Sequence, residues 1–217
     1  GSRAPRVSTA ESPTAFGSAV HVVLSQISDG RLPTDARIAE ICRAAKLAPE
    51  RWESVGALAA GYLDSQVAKR VARCGRVMRE VPFAVPVGAT LLDGAIDLIA
   101  FEEDRALVLD YKTGHTDDRF DPSEGYLEQA RCYAVAASAM GSKIVEVGFV
   151  ELERESRVHT FEFDEAGVKD AIVGIQETLS QIAQRRFGHL DHYDGLVCAE
   201  CPALGNLCPI SAPTPSA

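Results

Sequence analysis

No apolar run in the 217 residues approaches the roughly 20 that span a bilayer. No charged n-region and apolar h-region open the chain, so no secretory signal is read there. Six cysteines, three of them clustered near the end, do not form the pattern of a secreted disulfide framework. Together these absences make a cytoplasmic location the expectation, with no membrane partner. The sequence also lacks a Gly-x-x-x-x-Gly-Lys-Ser/Thr phosphate loop, so it is not itself a nucleotide-driven motor. It contains no internal repeat. Positive charge is in deficit: 22 Lys and Arg stand against 31 Asp and Glu, a net charge of −9. That argues against a free-standing, high-affinity nucleic-acid binder, which is usually basic. It leaves open an enzyme acting on nucleic acid, because carboxylates that hold metals add negative charge and a larger assembly can supply the basic track.

What remains reads as one ordinary globular domain with appendages. Residues 1–13 read as tag and linker, with Gly1-Ser2 as an expression scar. The main domain is expected over 14–196, with a helical insertion at about 35–74, and a cysteine-containing tail over 197–217. Periodicity predicts helices over 14–28 and 35–47, the second capped by Thr34 or Asp35. Residues 50–74 read as one long helix or two short ones, with Gly56 and Gly61 as weak points. Strands follow over 77–85, 89–101 and 107–112. A helix opens at Asp121-Pro122-Ser123-Glu124, where Asp caps, Pro takes the first position and Glu reaches back. Strands over 143–151 and 158–163 precede a closing helix over 165–186. This order predicts an α+β domain, a mixed sheet flanked by helices behind an N-terminal helical segment.

The stretch from Asp97 to Lys112 carries the most chemistry. Two apolar runs of strand length flank Glu102-Glu103-Asp104-Arg105. A hairpin centred on Glu103-Asp104 sets Asp97 opposite Asp110, with Cβ atoms expected about 4.5–5.5 Å apart. Side chains repeat every second residue, so Lys112 shares a face with Asp110. Two carboxylates and an ammonium thus converge on an apolar sheet. Like charges that close repel unless a cation lies between them. A salt-bridged surface patch fits the same spacing, but the flanking Ile, Leu and Val point to a buried strand.

These residues carry a family resemblance. Gly94-Ala-Ile-Asp97, followed by Val108-Leu-Asp110-Tyr-Lys112-Thr-Gly, resembles the PD-(D/E)XK nuclease superfamily, and within it the nuclease domain of RecB and AddA type helicase–nucleases. Phe16-Gly17-Ser-Ala-Val-His21 resembles that family's upstream Gly-x-x-x-His helix. Arg79-Glu80-Val-Pro82-Phe83 resembles its Arg-Glu-x-Pro-Phe strand, and Gln129-Ala-Arg-Cys-Tyr133 its Gln-x-x-x-Tyr helix. The pieces occur in the family's order.

The resemblance implies a restriction-endonuclease-like fold and a metal-dependent DNA exonuclease domain. It implies His21, Asp97, Asp110 and the Tyr111 backbone carbonyl as metal ligands and Lys112 as the catalytic lysine. Mg²⁺ is the implied cofactor, with Mn²⁺ able to substitute. The implied partners are DNA with single-stranded ends, a helicase motor in the same polypeptide and a second subunit. Read from the residues alone, a histidine such as His21 on a helix is more often a satisfied core or surface residue than a ligand, and Gly17, one turn earlier, permits close approach of its helix. Gln129 and Tyr133 share a helix face with Tyr126. They can bond the DNA backbone, fix Lys112 and the ligands, or belong to an ordinary amphipathic helix. Glu80 can position the site or merely alternate outward.

Cys198, Cys201 and Cys208 resemble the second half of a four-iron cluster motif. Its partner would precede His21, where this sequence has no Cys. A metal-free tail is the expectation. An iron–sulfur cluster, or zinc held with His189 or His192, is the alternative. Two rival functions stand beside the nuclease: a non-catalytic DNA-guiding or subunit-docking scaffold of the same fold, and a metal protein centred on the tail.

Overall fold

The computed structural model describes residues 14–114, 125–184, 186 and 198. The linker, the Asp121–Glu124 helix start, His189, His192, Cys201 and Cys208 lie outside the described residues.

Four helices open the chain: α1 (Ala15–Ser25), α2 (Asp35–Ala44), α3 (Trp52–Asp64) and α4 (Gln66–Val71), with a 3₁₀ turn at Pro49–Arg51. Phe16, Ala19, Val20, Val23 and Leu24 form the buried stripe of α1. Thr34 caps α2 by accepting the Arg37 amide at 3.3 Å. The break between α3 and α4 falls at Ser65, not at Gly56 or Gly61, both of which lie inside α3. Ser65 adopts an extended backbone and accepts the Ala68 amide, so an N-cap, not a glycine, divides the pair.

The sheet follows: β1 (Arg76–Val87), β2 (Thr90–Glu102) and β3 (Arg105–Lys112), then α5 (Leu127–Ala139), β4 (Ile144–Glu151), β5 (Arg157–Phe163) and α6 (Glu165–Ala183). Strand order is β1-β2-β3-β4-β5. Among the described strands only β3 and β4 run parallel, and α5 lies in the crossover between them. This is the mixed, helix-flanked α+β sheet expected.

Both faces of the sheet are covered, which explains why β3 is buried continuously from Ala106 to Tyr111. One core joins α1–α4 to Leu98, Leu107, Leu109 and Tyr111. The other joins α5 and α6 to Ile96, Ile99, Val108 and Phe149. Each fully buried Leu, Ile or Phe contributes about 1.5–3 kcal/mol.

Alternation breaks at one level. Leu98 and Ala100 face the α1–α4 core, yet Ile96, of the same parity, faces the α5–α6 core. Likewise Val77 packs toward α1–α4, while Val81 packs toward α5 and α6. The phase shifts by one residue at Glu80 in β1 and at Asp97 in β2. The β1–β2 register pairs Arg79 with Leu98 and Val81 with Ile96, passing over Glu80 and Asp97. Glu80 has φ 48°, a left-handed conformation that a residue with a Cβ rarely adopts.

Candidate metal centre and active site

The hairpin register is that expected, from Glu102↔Arg105 to Leu98↔Leu109. One step beyond, Asp97 does not continue the ladder. Its Oδ2 accepts the Tyr111 amide at 2.8 Å. Its Oδ1 lies 3.3 Å from His21 Nδ1, and His21 Nε2 donates to the Tyr111 carbonyl at 2.8 Å. Helix α1 can bring His21 to this point because Gly17, one turn earlier, meets the end of β3. A Cβ on Gly17 would lie 2.7 Å from Thr113 Oγ1.

Ligand atoms of His21, Glu80 and Asp97 all fall within 4.8 Å of one another. The left-handed turn at Glu80 takes this one residue out of the β1–β2 pairing, which resumes at Val81, and leaves its carboxylate beside Asp97. Such a conformation costs about 1–3 kcal/mol and persists where surrounding structure enforces it. Hard and borderline donors of this kind, with the Tyr111 carbonyl beside them, suit Mg²⁺ or Mn²⁺.

Asp110 belongs to an adjoining group. It is 5% exposed. Lys112 Nζ lies 2.7 Å from its Oδ2, and its Oδ1 accepts from Gln129 Nε2 at 2.9 Å and from the Tyr133 hydroxyl at 2.8 Å. Gln129 Oε1 in turn accepts from Lys112 Nζ at 2.9 Å. Asp110, Lys112 and Gln129 therefore form a closed ring, with Tyr133 bonded to two of its members. The ammonium also sits 5.2 Å from the Tyr126 ring and 5.3 Å from the Phe149 ring, which stack on each other. Two polar partners and two aromatic walls hold the lysine in one place.

Electrostatics ties the two groups together. Burial pushes the Asp110 carboxyl above its ordinary range; Lys112 draws it back, and Asp97 pushes it up again. Burial also raises Glu80, with Asp97 adding to the effect. Burial opposes charge on His21, but hydrogen bonding and charge from Asp97 outweigh it and raise the imidazole above 6.5. Burial raises the Tyr133 phenol strongly, and Asp110 raises it further, so it stays a donor. The whole site is starved of positive charge.

His21, Asp97 and the Tyr111 carbonyl thus come together, joined by Glu80. Asp110, Lys112, Gln129 and Tyr133 come together beside them. The place of Glu80 in this cluster has a signal in the sequence only through its motif, since left-handed glutamate has none. Cys198 is buried, while Cys42 lies in α2, Cys74 in the connection between α4 and β1 and Cys132 in α5, and none of the four is in a disulfide. Among the described residues no helix is long and apolar enough to cross a membrane.

The model of the PD-(D/E)XK nuclease superfamily matches residues 1–209. An ATP-dependent helicase/nuclease subunit from Moorella thermoacetica is 31% identical over 152 residues, covering 60% of this chain and 11% of that protein. The protein of the same name from Acetivibrio thermocellus is 27% identical over 164 residues, covering 67% of this chain and 13% of that protein. The chain thus spans about an eighth of these relatives' length. A crystal structure from Eubacterium rectale, described as a candidate exonuclease, superposes with TM-score 0.52 at 12% identity, over 84% of this chain and 69% of that one. That likeness shows the fold alone. The chain belongs to the PD-(D/E)XK nuclease superfamily.

Proposed function

We propose that this nuclease domain is a Mg²⁺-dependent deoxyribonuclease, served also by Mn²⁺, that acts as an exonuclease on single-stranded DNA ends. In this reading it works beside a helicase motor in one longer polypeptide, and its further partner is a second subunit. The observation that carries the reading is the adjacency of two groups. His21, Glu80 and Asp97 gather their ligand atoms within 4.8 Å, and the Asp110–Lys112–Gln129 ring stands next to them.

His21, Asp97, Glu80 and the Tyr111 carbonyl, with Asp110, would hold the cation. When bound, it supplies charge against the phosphate and acidifies water. The remaining work belongs to side chains. Lys112 keeps its ammonium beside Asp110 and presents a donor to the attacking water and to the phosphate oxygens as their charge grows. Gln129 and Tyr133 hold Asp110 and Lys112 in that orientation, so no reorganisation is needed at the moment of attack. Hydrolysis forms one P–O bond from water and breaks one phosphoester bond.

The test is Asp110→Ala and Lys112→Ala, assayed on labelled single-stranded DNA with Mg²⁺ or Mn²⁺. Each substitution is expected to abolish cleavage while the fold survives. Cleavage that survives both would reject the assignment. Calorimetry with Mn²⁺ adds an independent readout: no binding in the millimolar range would favour a non-catalytic scaffold.

A further inference from the structure

The acidic chain has a strongly basic segment, Lys69 to Arg79. It carries Lys69, Arg70, Arg73, Arg76 and Arg79, with no carboxylate from Ser65 onward. The segment ends immediately before Glu80 of the metal group. Two of its cations have structural partners. Arg70 binds Glu102 at 3.0 Å and Glu146 at 2.7 Å, and Arg76 lies 4.9 Å over the Phe101 ring.

Lys69 and Arg79 instead line a cavity of about 440 Å³ among α3, α4, β1 and the turn after α1. Its size falls in the usual range for ligand pockets, about 300–1,000 Å³. Tyr62, 1% exposed, also lines it, and among the described residues the Tyr62 hydroxyl has no hydrogen-bond partner. Arg79 Nε and the Tyr111 hydroxyl are buried and unsatisfied in the same way. The Tyr62 and Tyr111 rings meet edge to face at 5.0 Å, and their hydroxyls influence each other's ionisation without forming a bond of normal geometry. Buried polar atoms are nearly always bonded, so a guanidinium nitrogen and phenol hydroxyls left open together point to something they receive. Each hydroxyl can donate, and the charged Arg79 guanidinium can only donate, which favours an anion. Asp29 is the one carboxylate lining the cavity among the described residues; it is exposed and within 3.4 Å of the Ser28 hydroxyl, where solvent screens it.

Tyr111 links this cavity to the metal group. Its carbonyl accepts from His21, while its ring packs on Tyr62. We infer that the cavity is a phosphate subsite for the nucleic-acid strand, in which Arg79 and the Tyr62 hydroxyl hold a backbone phosphate beside the one that is cut, and Lys69 faces it from the mouth. This rests on the reading of the domain as a DNA nuclease. It gives a chain of net charge −9 a local grip on a polyanion.

The probe is fluorescein-labelled dT12, bound by the whole chain in EDTA so that cleavage plays no part. Arg79→Gln is expected to weaken binding on the order of tenfold and to lower the salt slope by about 0.7, the loss of one phosphate contact on a single strand. Lys69→Gln, at an exposed position, should act in the same direction and carries the test if Arg79→Gln does not fold. Unchanged affinity and slope in the folded variants overturns the proposal. Inorganic phosphate is the second probe. If it raises the melting temperature through Arg79 while dT12 affinity is insensitive to Arg79→Gln, the cavity takes free phosphate and the strand subsite is overturned. Mg²⁺-dependent cleavage is scored separately. Protein that binds dT12 through Arg79 but never cuts refutes the nuclease reading and keeps the subsite; protein that cuts, with binding unaltered in Arg79→Gln, loses the subsite alone.

Discussion

Asp97 reaches across from β2 to the backbone of Tyr111 in β3, its Oδ2 accepting the amide at 2.8 Å. A side chain thereby takes a donor next to the end of the ladder. The Tyr111 carbonyl accepts from His21, whose other ring nitrogen faces Asp97. Imidazole, carboxylate and carbonyl close a triangle in which a protonated His21 satisfies both oxygens, as a cation would.

That triangle predicts a pH dependence. His21 titrates above 6.5 in the fold, so its stabilising contribution is complete below 6.5 and is lost as pH rises through its folded value. Glu80 and Asp110, also raised, act in the same sense from more acidic pH upward. In EDTA the melting temperature is therefore expected to fall as pH rises, and Asp97→Asn should remove the part near neutrality. Mn²⁺ affinity should rise over that range with release of a proton, because a ligating imidazole must be neutral. Calorimetry in two buffers of different ionisation enthalpy measures the proton. Affinity that is flat with pH would exclude His21 as a ligand.

Glu80 holds its carboxylate in place at the cost of backbone strain. Glu80→Ala and Glu80→Gly both delete the ligand, but only glycine accepts φ 48° without penalty. Both variants should bind Mn²⁺ more weakly than the parent. The glycine variant should be more stable than the alanine variant by about 1 kcal/mol. Urea denaturation of the metal-free pair decides this. Equal stability would mean that the left-handed turn stores no strain.

Gln129 joins Lys112 to Asp110 through one amide. Gln129→Leu keeps the volume and removes both bonds. Activity or metal affinity should fall about 10–100-fold, the usual cost of losing a group that orients ligands. Tyr133→Phe removes one of the two donors to Asp110 Oδ1 and should cost less. Steady-state cleavage and Mn²⁺ titration of both variants test the order.

Gly17 sets the approach of α1 to β3. Alanine there improves helix propensity by about 1 kcal/mol, yet its Cβ would stand 2.7 Å from Thr113 Oγ1. Gly17→Ala alone should weaken Mn²⁺ binding by displacing His21. Gly17→Ala with Thr113→Ala should restore it, giving a coupling of about 0.5–3 kcal/mol in a double-mutant cycle. Additive effects would show that the contact does not position the helix.

Local signals in the chain were readable for local reasons. The 98–109 register follows from the turn and the apolar runs on either side. The cap at Thr34 follows from side-chain chemistry three residues from the amide it accepts. Ser65 carried the same cap signal, yet Gly56 and Gly61 were read as the weak points of a stretch left as one long helix or two short ones. Inside a packed helix α3 tolerated their modest propensity cost, and the cap placed the boundary.

The residue set of the site was legible one position at a time: Asp97, Asp110 and Lys112 by alternation, and His21, Glu80, Gln129 and Tyr133 through motifs at long separations. Alternation assumes an unbroken ladder, so it predicted Asp97 directly opposite Asp110 on a regular face. Tertiary structure decided otherwise. Packing α1–α4 on one side and α5–α6 on the other buries odd and even residues differently on either side of Glu80 and Asp97. Both strands meet that demand by slipping phase at the same level, with Glu80 left-handed and Asp97 turned to the Tyr111 amide. The chemistry of the candidate ligands was written in the residues. Their division into a cation group and a lysine-holding ring came from two cores competing for one sheet.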